Sequence, residues 1–583
     1  MFFISFLFLL NLFLSPYCII KSKNDWVDKS MKSSKEIIYN YHKQTKHRPY
    51  RYARSLGYLD WDNEPNPFRK FQGAEPIHLP ILPVKFSPPF HEALFQPEHI
   101  IPQSIHIETI SHFLLHSLGI SAWKEYRGSR WAVRCNPSSG NLHPTEAYLI
   151  FPLQLLNNNH SLLLHYDPSE HKLEKRAIMT QNNWEKQGLT SFAEYPCFFV
   201  ALTSIIWREA WKYGERAFRY CLLDTGHAIA CLTFSALSLG WNIHYIGISL
   251  QNLSISLGLN RPEYTHVEKE FPQILLMVSP NNIKQEKQLS FAIKNPILFD
   301  EWFGIPEKIS PQTTDWDIIE EVSSAIIESS EEFYSSFIKA PTLSEYKDKY
   351  LPHISTFTPS PPSFDLFKQR RSAHALDINA MLKQKDFFQI LKGINYISHQ
   401  LLRKIIPLTP RTSLLFFVHH VEHLTPGIYL YPLCQGHFEK LIPSCFKEVS
   451  KVENEDNLPL FLCQEGDMRR IAGHLCCGQE IAHDGVLCTC IFTDLEEELK
   501  NYNGFPYAPL HWEAGFWGQW LYLESEIFNL RGTGIGCFFD DEIIRIMEGN
   551  KKENLLVNPL YFFTIGKPIY DERIKTYPPY SET

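Results

Sequence analysis

The sequence predicts a protein of helices and strands that is built as two related units in tandem. Two long apolar segments, beginning at Gly226 and Gly515, space their large apolar residues at helical intervals and are predicted to be buried helices. Two short aromatic-rich segments, beginning at Ser161 and Gly427, are predicted strands that run into a proline turn. Because a proline-rich stretch at 356–364 lies between the halves, we expect a linker there.

The N-terminal run 2–20 is almost wholly apolar, and the first basic residues, Lys21 and Lys23, follow it. A signal peptide carries positive charge before its apolar run and a small-residue cleavage site after it, and both are missing here. About 20 apolar residues suffice for a membrane anchor, whereas the polar stretch that Met31 opens has the character of a natural start. We favour a start at Met31, so that 1–30 is an apolar leader or a mis-assigned beginning, and we expect membrane association only if the run is a true anchor.

The two halves align at an offset of 289 residues, which places Gly226 on Gly515. Buried helices also resemble one another through composition alone, but two related units give the better account. Residues 301–350 alternate apolar and acidic side chains, which suggests one or two exposed helices ahead of the prolines. The predicted organisation is an N-terminal extension at 31–100, a first unit at 101–300, a helical and proline-rich linker at 301–362 and a second unit at 363–583.

Composition excludes some functions. The 583 residues include 56 Lys and Arg against 64 Asp and Glu, so no basic excess is available to neutralise a nucleic-acid backbone. The 13 cysteines are odd in number and irregularly spaced, which suits the reducing cytoplasm. Histidines and cysteines between 474 and 490 are of the types that bind zinc, but their spacing is not C-x-x-C, and we predict no metal site.

Two motifs could bind a ligand. Pro137, Ser138, Ser139, Gly140 and Asn141 form a turn of small residues just before a predicted strand. Its backbone N–H groups and hydroxyls suit a polar heterocycle or a phosphate, although alone it is also an ordinary turn. The second motif is two adjacent guanidiniums and a hydroxyl that could clamp a phosphate or could simply begin a solvated helix. Its residues are Arg370, Arg371 and Ser372.

Two further motifs could take part in chemistry. The segment 531–536 follows the second apolar helix, and its three glycines would let the backbone approach a ligand closely in a glycine-rich turn. Its spacing is not that of a dinucleotide fingerprint. Lys212 and Tyr213 stand side by side and could act as an acid/base pair if burial lowered the lysine pKa. The alternative for that pair is the rim of an amphipathic helix.

Taken together, these segments resemble the FMN-dependent nitroreductase family and, within it, the SagB-type (ThcOx-like) dehydrogenases. The resemblance is carried by residues 41–61, 129–149 and 212–228 in the first half and by 370–377, 424–432, 518–523 and 565–568 in the second. It implies an α+β fold with a central, largely antiparallel sheet flanked by helices. Members of the family pair so that flavin lies between two subunits, and this chain looks like such a dimer fused into one polypeptide, an intrachain pseudo-dimer.

The resemblance also implies roles for the motifs. It assigns Arg370, Arg371 and Ser372 to the FMN phosphate, and the turn with Pro137, Ser138, Ser139 and Asn141 to contact with the flavin from the opposite unit. Backbone at Thr533 and Gly534 would face the flavin N5, and Arg573 would join the phosphate site. Lys212 and Tyr213 match a pair that takes part in proton removal in azoline-oxidising relatives.

The function that this resemblance implies is an FMN-dependent oxidoreductase that passes hydride through flavin N5. An azoline or a similar group, on a small molecule or a peptide, is the expected substrate, and NAD(P)H is a candidate electron donor. Two alternatives remain: a flavin-binding scaffold of a peptide-modifying assembly that does not turn over, and a pseudo-enzyme without flavin. The sequence departs from the family in one respect: the Arg-Arg-Ser run occurs only in the second half and the Pro-Ser-Ser turn only in the first.

Overall fold

The computed structural model describes residues 32–152, 160–193, 196–281, 292–337, 359–433, 449–548 and 557–580. The predicted leader at 1–30 and the predicted start at Met31 lie outside the described residues.

Most strands belong to two large sheets, one in each half of the chain. The strands of the first half are β1 (Phe71–Gln72), β2 (Pro76–His78), β3 (Ile120–Tyr126), β4 (Ser129–Arg134), β5 (Thr145–Phe151), β6 (Ser161–Asp167), β7 (Lys172–Met179), β8 (Phe198–Ile205), β9 (Trp241–Tyr245), β10 (Glu270–Pro280), β11 (Glu301–Trp302) and β12 (Ile305–Pro306). Those of the second half are β13 (Ser413–Val418), β14 (Gly427–Pro432), β15 (Ser450–Lys451), β16 (Phe461–Glu465), β17 (Leu487–Thr493), β18 (Arg531–Ile535), β19 (Asn558–Gly566) and β20 (Lys575–Tyr577). The strands outside the two large sheets form a small sheet of β1 and β12 and another of β20, β3 and β4.

Helices cover and separate these sheets. In chain order they are α1 (Ser34–Gln44), α2 (Phe90–Phe95), α3 (Ile107–Leu115), α4 (Gln181–Lys186), α5 (Thr190–Ala193), α6 (Ile206–Tyr213), α7 (Ala217–Ser238), α8 (Leu250–Ser256), α9 (Asp317–Phe337), α10 (Ser363–Gln369), α11 (Gln384–Tyr396), α12 (Leu402–Ile405), α13 (Arg469–Leu475), α14 (Glu480–Asp484), α15 (Leu495–Asn501), α16 (Tyr507–Ile527) and α17 (Glu542–Glu548).

The two large sheets have the same topology. The first runs β7-β6-β5-β8-β10-β9 and the second β16-β14-β13-β17-β19-β18, and neighbouring strands in both are antiparallel. Each strand of the first order has its counterpart at the same place in the second. The two predicted strands that begin at Ser161 and Gly427 are such counterparts, β6 and β14. The α+β fold of two related units with mostly antiparallel sheets is therefore confirmed.

The long helices α7 and α16, which follow the fourth strand of each order, cross at the centre of the molecule. A Cβ added at Gly226 would lie 2.2 Å from the Trp512 carbonyl oxygen, and one added at Gly515 would lie 2.1 Å from the Leu223 oxygen. The predicted offset of 289 maps one contact onto the other, because it relates Gly226 to Gly515 and Leu223 to Trp512. The two helix backbones thus touch at equivalent points, where only glycine leaves room.

Burial on all sides explains why both helices are apolar around their full circumference. Every residue of α7 is buried, and so is nearly all of α16. The stretch Ile206–Ser238 is long and apolar enough to cross a membrane, but its apolar 18-residue window is completely buried inside the protein. A helix that is hydrophobic all round belongs either in a membrane or in a core, and here it forms the core.

Two local expectations need correction. Helix α9 in the linker is exposed on one face only, because the alternating pattern gives it an apolar face on which Val322 and Ile326 are completely buried. The glycine-rich segment after α16 is not a turn but strand β18, which pairs with β19.

The halves are also joined at their margins. Strand β20, near the C-terminus, pairs with β3 of the first half, and Trp123 there faces Tyr577 in the register. Strands β3 and β4 form a hairpin that ends just before the turn at Pro137. Residues from distant parts of the chain therefore come together beside that turn.

Candidate functional site

The turn at 137–141 is held from below by a carboxylate on α7. Asp224 accepts hydrogen bonds from the Ser139 backbone N–H, at 3.0 and 3.1 Å, and from its hydroxyl at 3.0 Å. Gly140 has a φ of +60°, a backbone conformation that glycine adopts at little cost. Asn141 donates from its side-chain amide to the Ala132 carbonyl at 2.8 Å. The turn is therefore fixed at both ends.

Arg370 of the second unit joins this turn to the predicted clamp. Its Nε donates to the Cys135 carbonyl at 3.1 Å and its Nη2 to the Arg134 carbonyl at 3.0 Å, immediately before the turn. Its guanidinium carbon lies 4.9 Å from the centre of the Tyr522 ring. Arg370 is only 3% exposed, and its Nη1 is buried with no hydrogen-bond partner among the described residues. A buried cationic nitrogen with an unused donor is where an anionic ligand would bind.

Ser372 and strand β18 meet at the Tyr522 hydroxyl. The Ser372 and Tyr522 hydroxyl oxygens are 2.8 Å apart, and the Gly534 N–H donates to the Tyr522 oxygen at 3.1 Å. Thr533 donates from its hydroxyl to the Ala373 carbonyl at 2.7 Å. A Cβ at Gly534 would lie 1.7 Å from the Tyr561 hydroxyl, so this position must be glycine. The structure thus brings Ser372, Thr533 and Gly534 together.

Three cations surround the outer end of the clamp. Burial, followed by the charge of the adjacent Arg370, lowers the pKa of Arg371 to about 10. Burial also lowers the pKa of Lys124, and Arg371 and Arg531 add to this effect through their positive charges. Among the acidic groups near them, Glu526 accepts from the Arg371 N–H at 3.0 Å and pairs with Arg531 at 3.2 Å. Positive charge therefore exceeds negative charge here, as an anion site requires.

Arg573, the remaining residue of the predicted phosphate site, forms an ion pair with Asp571. It is exposed, and its guanidinium donates to both carboxylate oxygens of Asp571, at 2.8 and 2.7 Å. Its guanidinium carbon also lies 5.5 Å from the centre of the Tyr126 ring. Its predicted role at a phosphate stays a prediction.

Lys212 and Tyr213, at the end of α6, stand directly against the turn. A Cβ added at Gly140 would lie 2.6 Å from the Tyr213 hydroxyl oxygen and 3.1 Å from the Lys212 Nζ. Burial raises the pKa of Tyr213 well above its usual range, so that its hydroxyl keeps its proton. The two predicted catalytic residues and the predicted turn are therefore neighbours, although 71 or more positions separate them in the chain.

A pair of buried carboxyl groups behind the turn was not predicted. Glu209 is 0% and Asp224 is 2% exposed. Burial, reinforced by Asp224, raises the pKa of Glu209 well above its usual range, and burial raises that of Asp224 to about 7. Glu209 therefore keeps its proton and donates it in a hydrogen bond to Asp224. The Ser138 hydroxyl donates to the Glu209 carboxyl group at 3.4 Å.

One signal in the sequence could have indicated this pair: an acidic residue within a predicted apolar helix. Asp224 stands two positions before Gly226, and Glu513 stands two positions before Gly515. An isolated acidic residue in a helix buried on all sides has to be hydrogen-bonded. Glu513 indeed accepts from the Arg411 and Thr412 N–H groups, at 2.9 and 3.1 Å, and so supports the segment before β13 as Asp224 supports the turn before β5.

The place in the other half that corresponds to the candidate site is filled by side chains. The end of β9 corresponds to the end of β18, and the segment before β13 corresponds to the turn at 137–141. Between them lies an apolar cluster formed by Phe333, Tyr334 and Phe505, against which Tyr245, Leu408 and Tyr502 pack. The Phe333 and Phe505 rings stack at 4.4 Å. No arginine clamp reaches this place among the described residues, and side chains occupy the space.

Comparison with solved structures identifies the fold. A provisionally named nitroreductase from Anabaena variabilis superposes with a TM-score of 0.62 at 21% identity and covers 91% of this chain and 99% of its own. Two other structures overlap less. An Escherichia coli microcin synthetase complex with a truncated precursor bound covers 43% of this chain and 93% of its own, at 18% identity and a TM-score of 0.26. An NAD(P)H:FMN oxidoreductase from Staphylococcus epidermidis covers 36% and 87%, at 12% identity and 0.19.

The overlap with the Anabaena structure establishes a nitroreductase-like fold over nearly the whole chain. The two smaller overlaps are too slight to say anything about the activity of this chain. No family model and no curated protein matches the sequence.

Proposed function

We propose that this chain is an FMN-dependent oxidoreductase with one flavin site between its two units. The observation that carries the proposal is Arg370 of the second unit, which donates to the carbonyls of Arg134 and Cys135 just ahead of the turn of the first unit. Through this residue the clamp and the turn form one site. Each is positioned by the other, as two halves of a single binding site would be.

The residues fit a flavin phosphate and ring. The unused Nη1 of Arg370 and the excess positive charge around Arg371, Lys124 and Arg531 suit a phosphate dianion. Glycines at 140 and 534 let the Tyr213 and Tyr561 hydroxyls approach the backbone closely on two sides of the site. The Ser372 hydroxyl supplies a polar contact for a heterocycle. Arg370, Arg371, Ser372 and the 137–141 turn would therefore hold the cofactor.

When bound, FMN would supply hydride transfer, accepting a hydride from the substrate carbon. The protein would remove the accompanying proton, so that a ring such as an azoline loses one hydride and one proton and becomes aromatic. We assign proton removal to Lys212, whose Nζ faces the turn, and the Tyr213 hydroxyl, which keeps its proton, would assist beside it as a hydrogen-bond donor. The Asp224 carboxylate, with a pKa of about 7, can take up that proton because it titrates near neutral pH. Burial around the turn would keep water away from the reacting atoms.

A peptide or small-molecule azoline is the substrate class that we propose, with NAD(P)H as the donor in the reductive direction. The Lys212–Tyr213 pair beside the turn supports this choice, since simple hydride exchange between nicotinamide and flavin needs no protein base. The microcin synthetase complex that overlaps part of the chain holds a truncated precursor, but its similarity is too low to support the substrate.

The purified full chain tests the proposal. We expect it to be yellow, to release FMN on denaturation, and to be bleached anaerobically by NADH or NADPH or by an azoline-containing peptide that is converted to the azole. The double variant Arg370→Ala, Arg371→Ala should lose the flavin, whereas Arg545→Ala, which removes an exposed arginine on α17, should keep it. A colourless wild-type protein that binds no added FMN would refute the proposal. A yellow protein that neither donor reduces would point to the scaffold alternative.

A further inference from the structure

Two half-buried cysteines of the second unit lie side by side. Cys477 follows α13, and Cys537 follows β18 by two residues. Their sulfur atoms are 2.9 Å apart, against about 2.05 Å in a disulfide. A small movement would therefore bring them to bonding distance, although 60 positions separate them in the chain.

The surroundings of the two sulfurs differ. His47 accepts at Nδ1 from the Ala53 N–H at 2.9 Å, which leaves its Nε2 to carry the proton and to donate to Cys537. The positive charge of Arg216 also acts on Cys537. The hydrogen bond with Cys477, followed by the one with His47, lowers the pKa of Cys537 to about 5, and the same hydrogen bond raises the pKa of Cys477. At neutral pH Cys537 is therefore a thiolate and Cys477 a thiol.

Among the described cysteines, these two thiols are also the most accessible. The other cysteines in the part of the chain that the structure describes are buried, including the neighbours Cys476, Cys488 and Cys490. Burial raises the pKa of Cys476 and of Cys490. A protonated thiol closed off from water is unreactive, whereas a half-exposed thiolate beside a second thiol has the character of a redox site.

We propose that Cys477 and Cys537 are a redox-active pair that reacts with low-molecular-weight disulfides. The Cys537 thiolate attacks one sulfur of the disulfide, forms a mixed disulfide and releases one thiolate, which takes a proton from water. Cys477 then gives up its proton, and its sulfur attacks the Cys537 sulfur and releases the second thiolate, which is protonated in turn. Overall, two cysteine thiols are oxidised to one internal disulfide while one external disulfide is reduced to two thiols.

The pair borders the candidate site without being part of it. The carbonyl of Gly536, next to Cys537, accepts from the Tyr220 hydroxyl at 3.2 Å, and the Tyr220 ring lies 4.7 Å from that of Tyr213. An internal disulfide would fix the end of β18 beside the proposed catalytic residues. The thiol chemistry itself requires no flavin and stands whether or not flavin binds.

Oxidised glutathione, added to the native full chain, tests the proposal. We expect two reduced glutathione molecules released per chain, a cross-linked Cys477–Cys537 peptide in the digest, and reversal by dithiothreitol. Cys488→Ala, which removes a buried thiol, should leave this yield unchanged. Absence of the cross-linked peptide from the wild-type digest, or its loss in Cys488→Ala, would overturn the proposal.

Two single variants test the order of the steps. Cys477→Ser should stop at the mixed disulfide and retain one glutathione per chain, because no second thiol resolves it. Cys537→Ser should react about tenfold more slowly, because the remaining thiol is protonated. Retention of glutathione by Cys537→Ser at the rate of Cys477→Ser would overturn the assignment of Cys537 as the attacking sulfur. The wild-type measurement does not depend on how well either variant folds.

Discussion

At the scale of single residues, the Glu209–Asp224 pair is the feature that most sets the electrostatics of the site. Two carboxyl groups that are buried together cannot both ionise, so they share a proton. Asp224 uses its charge to hold the Ser139 N–H and hydroxyl. The pair therefore links the shape of the turn to the protonation of the site.

The raised pKa of Asp224 predicts a pH dependence of stability. An unfolded aspartic acid loses its proton near pH 4, whereas the folded one keeps it until about pH 7. Between these values the folded state binds more protons than the unfolded state, so the free energy of unfolding falls as pH rises. Asp224→Asn removes this fall in the free energy of unfolding, because asparagine does not titrate. Relative to wild type, it should gain up to about 4 kcal/mol between about pH 4 and pH 8.

Urea unfolding at several pH values measures this difference. Asp62→Asn, on the exposed surface, is the control and should differ from wild type by a constant amount at every pH. A constant difference for Asp224→Asn as well would mean that Asp224 is ionised in the folded protein throughout this range.

Lys212 should matter for proton removal but not for flavin binding. Lys212→Ala should slow azoline oxidation by about 10²–10⁴-fold, the usual contribution of a general acid or base, with flavin content unchanged. Lys186→Ala, on the exposed end of α4, is the matched control. Oxidation is followed as the gain of azole absorbance under single turnover. An undiminished rate in Lys212→Ala would return this lysine to the rim of its helix.

Site residues could be predicted from the sequence only where they belong to a motif that is continuous in the chain. The turn at 137–141 and the run 370–372 are continuous in the chain, and the structure brings them together. Glu209, Asp224 and Lys124 were missed because their roles depend on neighbours from distant segments. Asp224, for example, meets a residue 85 positions away.

At the scale of elements, the crossing of α7 and α16 depends on two glycines. A Cβ at Gly226 would lie 2.2 Å from a backbone oxygen of the partner helix, and backbone cannot move aside as a flexible side chain can. Gly226→Ala should therefore force the helices apart and lower the free energy of unfolding by about 1–3 kcal/mol or more.

Gly473→Ala, in α13, is the control for this substitution. Its Cβ would meet nothing nearer than 3.4 Å, so it should be neutral or stabilise by up to about 1 kcal/mol through helix propensity. Denaturant unfolding of both variants gives the comparison. If the two behave alike, the close approach of the helices is not what sets stability there.

Helices could be predicted where apolar residues recur at a clear helical period. Elements could not be predicted where packing against distant residues determines the backbone conformation. The offset of 289 follows from two apolar helices, and the reciprocal contacts at Gly226 and Gly515 obey it. Strand β18 was predicted as a turn because its glycines signal turns locally. Those glycines are needed instead because Tyr561, Phe563 and Tyr220 occupy the space above them. No local pattern reveals such neighbours.

At the scale of the whole molecule, the two units share a topology but not a site. One side of the pseudo-dimer has the turn, the clamp and the carboxyl pair. The other keeps only Glu513 as a support for the segment before β13. There the apolar cluster around Phe333 and Phe505 fills the space between that segment and β9. Because both units belong to one chain, neither half has to provide the same residues at both positions.

This asymmetry predicts one FMN per chain. A hydrogen bond to a charged phosphate contributes about 1.5–3 kcal/mol, so a position without the two arginines should bind flavin roughly 100-fold or more weakly. Where a second flavin would lie, Tyr334 and Phe505 are buried against Leu408, and opening that cluster would cost further free energy. Flavin released by denaturation, counted against protein concentration at saturating FMN, should therefore approach one. Replacement of Ser138 and Ser139 by bulkier residues should abolish this one site and uncover no other. A ratio of two in wild type would show that the mirror position also binds flavin, whereas a ratio of one in Arg370→Ala, Arg371→Ala would show that the clamp is misassigned.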